Sequence, residues 1–264
     1  MSVELYSTLP ITFYIVMIEL IVGTAISMLI VEIQLEVGPG FLQFMGGSIL
    51  ATLLLIYWAA SGFEPPVGTG SLAAFGIMAP LTGAVIASIL YLFYSFRPRR
   101  LPRIAAGVAL TGTSALALAA GLAGYAPMVS VSSVIASFSA ASLVMGASMT
   151  AMLLGHWYLV APMLSSRPLL RLTSLFILGL VAQGVVLVWL VNTGPESLER
   201  FGIIIWIRAA FGIIIPLIMA GFVWYSCRIR AMRTATGILY LAVGCVVMGD
   251  ISAKVLYFLT TIPV

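Results

Sequence analysis

The chain has 264 residues, 62% hydrophobic and only 8% charged, with a net charge of +4. Soluble globular domains carry roughly 25% charged residues, so there are too few charges here to cover a water-facing surface, and a soluble domain is excluded. The mean hydropathy of +1.19 and short polar connections point instead to an all-α polytopic membrane bundle, a single transmembrane domain over 1–264.

The opening "MSVELYSTLP" has no basic n-region and no small-residue cleavage pattern, so it reads as mature sequence. About 20 mostly apolar residues are needed to cross the hydrocarbon. Helix 1, at about 10–31, meets that need and carries Glu19; the connection after it holds Glu32 and Glu36, read as solvated. Helix 2, at about 41–61, ends on Tyr57 and Trp58. Helix 3, at about 71–95, contains Pro80, read as a simple kink. The basic loop "RPRRLPR" follows, with Arg97, Arg99, Arg100 and Arg103. Helices 4 and 5, at about 103–124 and 128–156, are rich in Gly, Ala and Ser, which allow close helix contact. Helix 5 ends on "GHWYLVAP", which contains the chain's one histidine, His156, and Tyr158 and Pro162.

Arg167 and Arg171 come next, then helix 6 at about 169–192 with Gln183 and Trp189. An acidic connection with Glu196, Glu199 and Arg200 leads to helix 7, at about 201–226, which carries Trp206, Arg208 and Pro216, the proline read like Pro80 as a simple kink. Arg228, Arg230 and Arg233 precede helix 8, at about 234–261, with Asp250 and Lys254. Short Pro- and Gly-rich connections such as "EVGPG" and "NTGPES" make neighbouring helices antiparallel. No sustained strand alternation and no strong internal repeat appears. Cys227 and Cys245 form neither a metal-ligand spacing nor a disulfide framework.

Nine arginines fall in the connections after helices 3, 5 and 7, and Arg200 alone falls on the other side. The arginine side is therefore expected in the cytoplasm, with both termini on the outer face. Tyr57, Trp58, Trp189 and Trp206 lie near expected outer ends, as an interfacial belt would. Counted from those ends, Glu19, Gln183, Arg208, Asp250 and Lys254 lie ~10–17 Å deep, in one layer of the outer half. A charge at the bilayer centre costs roughly 2.5–3.5 kcal/mol, so pairing is expected. Two roles stay open for this layer: an ion-pair network joining helices 1, 7 and 8, or a pocket that binds a head group or moves protons.

The segments carrying these charges resemble a known family. "WIRAAFGIIIPLIM" and "RTATGILYLAVGCVVMGDISAKVLYF" are similar to the last two helices of the NrfD-like membrane anchors of polysulfide and dimethyl sulfoxide reductases. The matching elements are Arg208, Gly212 and Pro216, then Gly249, Asp250, Lys254 and Tyr257. "LPITFYIVMIELIVGTAISML", with Glu19 and Gly23, is similar to the family's first helix. Lys254 stands where the family often has arginine, "GHWYL" is outside the general pattern, and helices 2 to 5 carry little likeness.

The resemblance implies a subunit of a respiratory or other electron-transfer complex in a prokaryotic cytoplasmic membrane. It implies a quinone or quinol, menaquinone or ubiquinone, bound near the outer face. It also implies an iron–sulfur, ferredoxin-like partner outside, with a molybdopterin or multihaem cytochrome subunit, and proton translocation in some members. No nucleic acid, and no haem or metal held by this chain, is expected; one histidine cannot give bis-histidine ligation. Glu19 and Asp250 are then the candidate proton acceptors, and Arg208, Lys254 and Gln183 the candidate pocket residues. His156 and Tyr158 are either an interfacial anchor or the inner end of a proton route. The alternatives are a secondary transporter or proton-conducting protein, and a purely structural anchor.

Overall fold

A computed structural model describes residues 2–34, 37–62, 71–125, 130–161, 163–193 and 202–263. Glu36, Pro162, Glu196, Glu199 and Arg200 lie outside the described residues. The described residues are helical, with no strand among them. Eight helices are long and apolar enough to cross a membrane. They are α1 (Ser2–Ile33), α2 (Pro39–Ser61), α3 (Ser71–Ser95), α4 (Arg100–Tyr125), α5 (Val131–Val160) and α6 (Arg167–Thr193). Then come α7 (Gly202–Arg228) and α8 (Met232–Thr260). Their outward faces carry large apolar side chains such as Leu54, Ile86, Leu116, Val185 and Phe222. A bundle apolar on both its inner and outer faces needs lipid around it. The protein is a multi-pass membrane protein.

Most boundaries fall within a few residues of the sequence expectation, with three informative differences. α1 starts at Ser2 and carries Pro10 inside it. α5 continues past His156 to Val160, because Trp157, Tyr158, Leu159 and Val160 remain apolar; the Ala161 N–H donates to the Trp157 carbonyl at 2.9 Å. α7 is interrupted by a π turn over Ala210–Ile214 between α-helical segments Gly202–Ala209 and Ile215–Arg228. Pro216 has no N–H for the Gly212 carbonyl four residues back. The Ile215 N–H donates instead to the Ala210 carbonyl, five residues back. A simple kink at Pro216 is thus replaced by a π turn, a feature common at functional sites. Pro80 lies within an uninterrupted α3.

The chain divides into two compact units, Met1–Pro127 and Met128–Val264. In the first, α1 packs on α2 and α4, and α3 packs on the same two. In the second, α5 packs on α6 and α8, and α7 packs on the same two. Each unit is therefore a four-helix ring in chain order, as short antiparallel connections dictate. The small side chains of α5 face inward, with Ser137, Ala141, Ser148 and Gly155 buried. The reading of close helix packing there holds.

Candidate functional site

Gln183, Arg208, Asp250 and Lys254 are all buried, and all belong to the second unit. Two close approaches bring their helices to one level. A β-carbon at Gly184 on α6 would lie 3.7 Å from the Ile213 side chain on α7. Next to Ile213, Gly212 meets Gly249 of α8 so closely that a β-carbon on Gly249 would collide with the Gly212 backbone. Only glycine fits at 249; a β-carbon at Gly212 would come within 3.2 Å of the Gly249 backbone. Each glycine neighbours a polar residue: Gln183 precedes Gly184, and Asp250 follows Gly249. The Arg208 guanidinium lies along its own helix, with Nη1 2.5 Å from where a Gly212 β-carbon would stand. The glycine contact thus makes room for the arginine beside the Asp250 turn.

Lys254 donates from Nζ to Asp250 Oδ1 at 3.1 Å, one helical turn away on α8. The expected pairing inside the span is present. Lys254 Nζ also stands 4.1 Å from the centroid of the Phe138 ring, a cation–π contact. Phe138 meets Tyr257 edge to face, with centroids 5.5 Å apart. The lysine is thus held between a carboxylate and an aromatic wall contributed by α5 and α8. Two acceptors remain open: Asp250 Oδ2 and Gln183 Oε1 are buried, with no hydrogen-bond partner among the described residues. Buried polar atoms are rarely left so, and these two call for donors that a ligand or water would bring.

Glu19 is completely buried midway along α1, in the first unit. The structure does not bring His156 into this set. Its ring is exposed, and Nδ1 lies 3.2 Å from the Tyr240 hydroxyl. Tyr240 is ten residues before Asp250 on α8, ~15 Å along the helix. Tyr158 is buried and donates from its hydroxyl to the Ser165 carbonyl, which fixes the turn after α5. Among the described residues, no group of three His, Cys, Asp or Glu side chains could hold a metal.

One buried constellation departs from the sequence reading. Glu32, expected to be solvated, is buried at the end of α1. Arg103 Nε donates to its Oε1 at 2.5 Å, and the Tyr91 hydroxyl to its Oε2 at 2.9 Å. Arg100 Nη2 donates to the Ile33 carbonyl at 2.6 Å, satisfying the end of the same helix. The arginines were legible as topology signals, but not as partners of Glu32.

No family model, curated protein or solved structure matches the chain.

Proposed function

We propose that the chain is the membrane subunit of an electron-transfer complex that binds quinol or quinone at the Gln183–Arg208–Asp250–Lys254 level. The observation carrying this reading is the pair of buried open acceptors, Asp250 Oδ2 and Gln183 Oε1, beside buried cations and aromatic rings. A quinol head group supplies two O–H donors and, on oxidation, two electrons and two protons. Asp250 accepts one donor and takes a proton. Lys254 holds Asp250 through Oδ1 and so leaves Oδ2 to receive the proton. Gln183 orients the ring by a neutral hydrogen bond, and Phe138 and Tyr257 exclude water. Glu19, completely buried in α1 of the first unit, is a candidate proton acceptor by the family resemblance alone.

The likeness of the α1, α7 and α8 segments to NrfD-like anchors supports the same reading. It extends it to a prokaryotic cytoplasmic membrane, with an iron–sulfur or cytochrome partner on the outer face. A purely structural anchor would also use the Asp250–Lys254 pair, and ligand binding separates the two. Decylubiquinone and a menaquinone analogue are titrated into the purified chain in lipid nanodiscs, with tryptophan fluorescence as the readout. Hydrogen bonds to charged groups are worth roughly 1.5–3 kcal/mol and neutral ones about 0.5–1.5 kcal/mol, so Asp250→Asn is expected to weaken binding about tenfold or more and Gln183→Leu about threefold to tenfold. Unchanged affinity in both variants, or no binding by the parent chain, would overturn the reading.

A further inference from the structure

The two arginine-bearing ends differ in how their charge is met. In the first unit, Arg103 pairs with Glu32, Arg100 binds the Ile33 carbonyl, and Arg97 lies 4.7 Å over the Phe93 ring. The second unit has Arg167, Arg171, Arg228, Arg230 and Arg233 at this end, and neither 154–175 nor 221–240 contains an acidic residue. The side chains of Arg230 and Arg233 make no ion pair or hydrogen bond among the described residues. Both line a cleft of about 580 Å³ between the end of α5 and the start of α8.

The cleft has two kinds of wall. Arg230, Arg233 and Thr234 make one polar, and Tyr158 and the half-exposed Leu159 make the other apolar. α8 starts there from Ala231, which offers no side-chain cap to its first N–H groups. Those N–H groups add to the positive potential of the two guanidiniums.

Arg230 also occupies an unusual backbone position. Its N–H donates to the Cys227 carbonyl at 3.2 Å, and the Ala231 N–H to the Ser226 carbonyl at 2.9 Å. This is the Schellman ending of α7, with Arg230 in the left-handed position (φ 59°) where glycine is the usual residue. Orientation of the chain in the membrane requires arginines somewhere in this connection, but not at that position.

We propose that this cleft binds a phosphate group at the membrane surface. A phospholipid head group is favoured as the source, because the same cleft offers an apolar wall. Arg230 and Arg233 hold the phosphate oxygens, the first turn of α8 faces them, and Leu159 lies against the chain below.

The full chain in detergent is titrated with phosphatidylglycerol, phosphatidylcholine and inorganic phosphate, with native mass spectrometry and thermal unfolding as readouts. Phosphatidylglycerol is expected to bind and raise the unfolding temperature more than phosphatidylcholine. A response to inorganic phosphate equal to that for phosphatidylglycerol assigns the same site to a soluble phosphate. Arg230→Gly and Arg233→Gln are each expected to weaken binding about fivefold, as befits a contact worth ~1 kcal/mol. Arg230→Gly places the favoured residue in the left-handed turn, so a loss of binding there is not a loss of folding. Arg228→Gln removes an exposed charge outside the cleft and should leave binding unchanged. Equal losses in all three variants reduce the effect to diffuse charge and overturn the site, as does no response to either phosphate source.

Discussion

A carboxylate buried at the end of α1 needs a cation, and Arg103 supplies it from 71 residues away in sequence. Removing one partner of a buried pair leaves an uncompensated charge, at a cost of about 3–5 kcal/mol. Glu32→Gln should therefore lower the thermal stability of the detergent-solubilised chain sharply. Tyr91→Phe removes only the hydroxyl donor to Oε2 and should cost about 1.5–3 kcal/mol. A Glu32→Gln chain as stable as the parent would show that the pair does not contribute as its geometry implies. The residues inside apolar runs, Gln183, Arg208, Asp250 and Lys254 among them, stood out in the sequence because lipid offers them no partner. Glu32 did not, because it lies at a helix end, where water and a distant arginine are equally consistent with one sequence. Phe138 was hidden for a related reason, and Tyr257, part of the helix 8 pattern, gave no sign that it faces Phe138: an aromatic in an apolar helix does not show what it meets.

At the scale of elements, hydropathy was enough to count the spans, since each must hide its backbone in helix and present about 20 apolar residues. It did not reveal the π turn, although its cause was visible: Pro216 stands four residues after Gly212 and denies it a donor. Nor did it distinguish glycines that merely allow packing from the pair that joins α7 to α8. Gly249 and Gly244 lie on the same helix and separate these cases. A β-carbon at Gly249 would collide with the Gly212 backbone, which cannot yield without moving α7; one at Gly244 would meet nothing within 4 Å. Gly249→Ala should destabilise by about 1–3 kcal/mol, as overpacking does, and should displace Arg208 along with the π turn. Gly244→Ala should be neutral or stabilise by up to about 1 kcal/mol, by narrowing the unfolded ensemble. Thermal unfolding of the two variants side by side checks both, and similar losses in the two would refute the glycine contact.

For the whole molecule, the sequence showed eight antiparallel spans but not their grouping into two four-helix units, because no repeat marks the division. Sidedness rests on charge. The connections after α3, α5 and α7 and the helix turns that flank them carry nine arginines, and retaining arginine on the cytoplasmic side is what orients a polytopic chain. Trp189, near the end of α6, and Trp206, near the start of α7, are both exposed at the opposite end of the second unit, where interfacial rings are favoured. These two observations are independent, and together they make a directional prediction. With Cys227 and Cys245 changed to Ala, Asn192→Cys is placed at the tryptophan end and Ser166→Cys at the arginine end. A membrane-impermeant maleimide added to intact cells should label Asn192→Cys at once and Ser166→Cys only after permeabilisation. The reverse pattern would invert the molecule. It would put the phosphate cleft on the outer face and the start of α7, with Arg208 below it, on the cytoplasmic side, and a partner docked outside could then no longer face the Asp250 level.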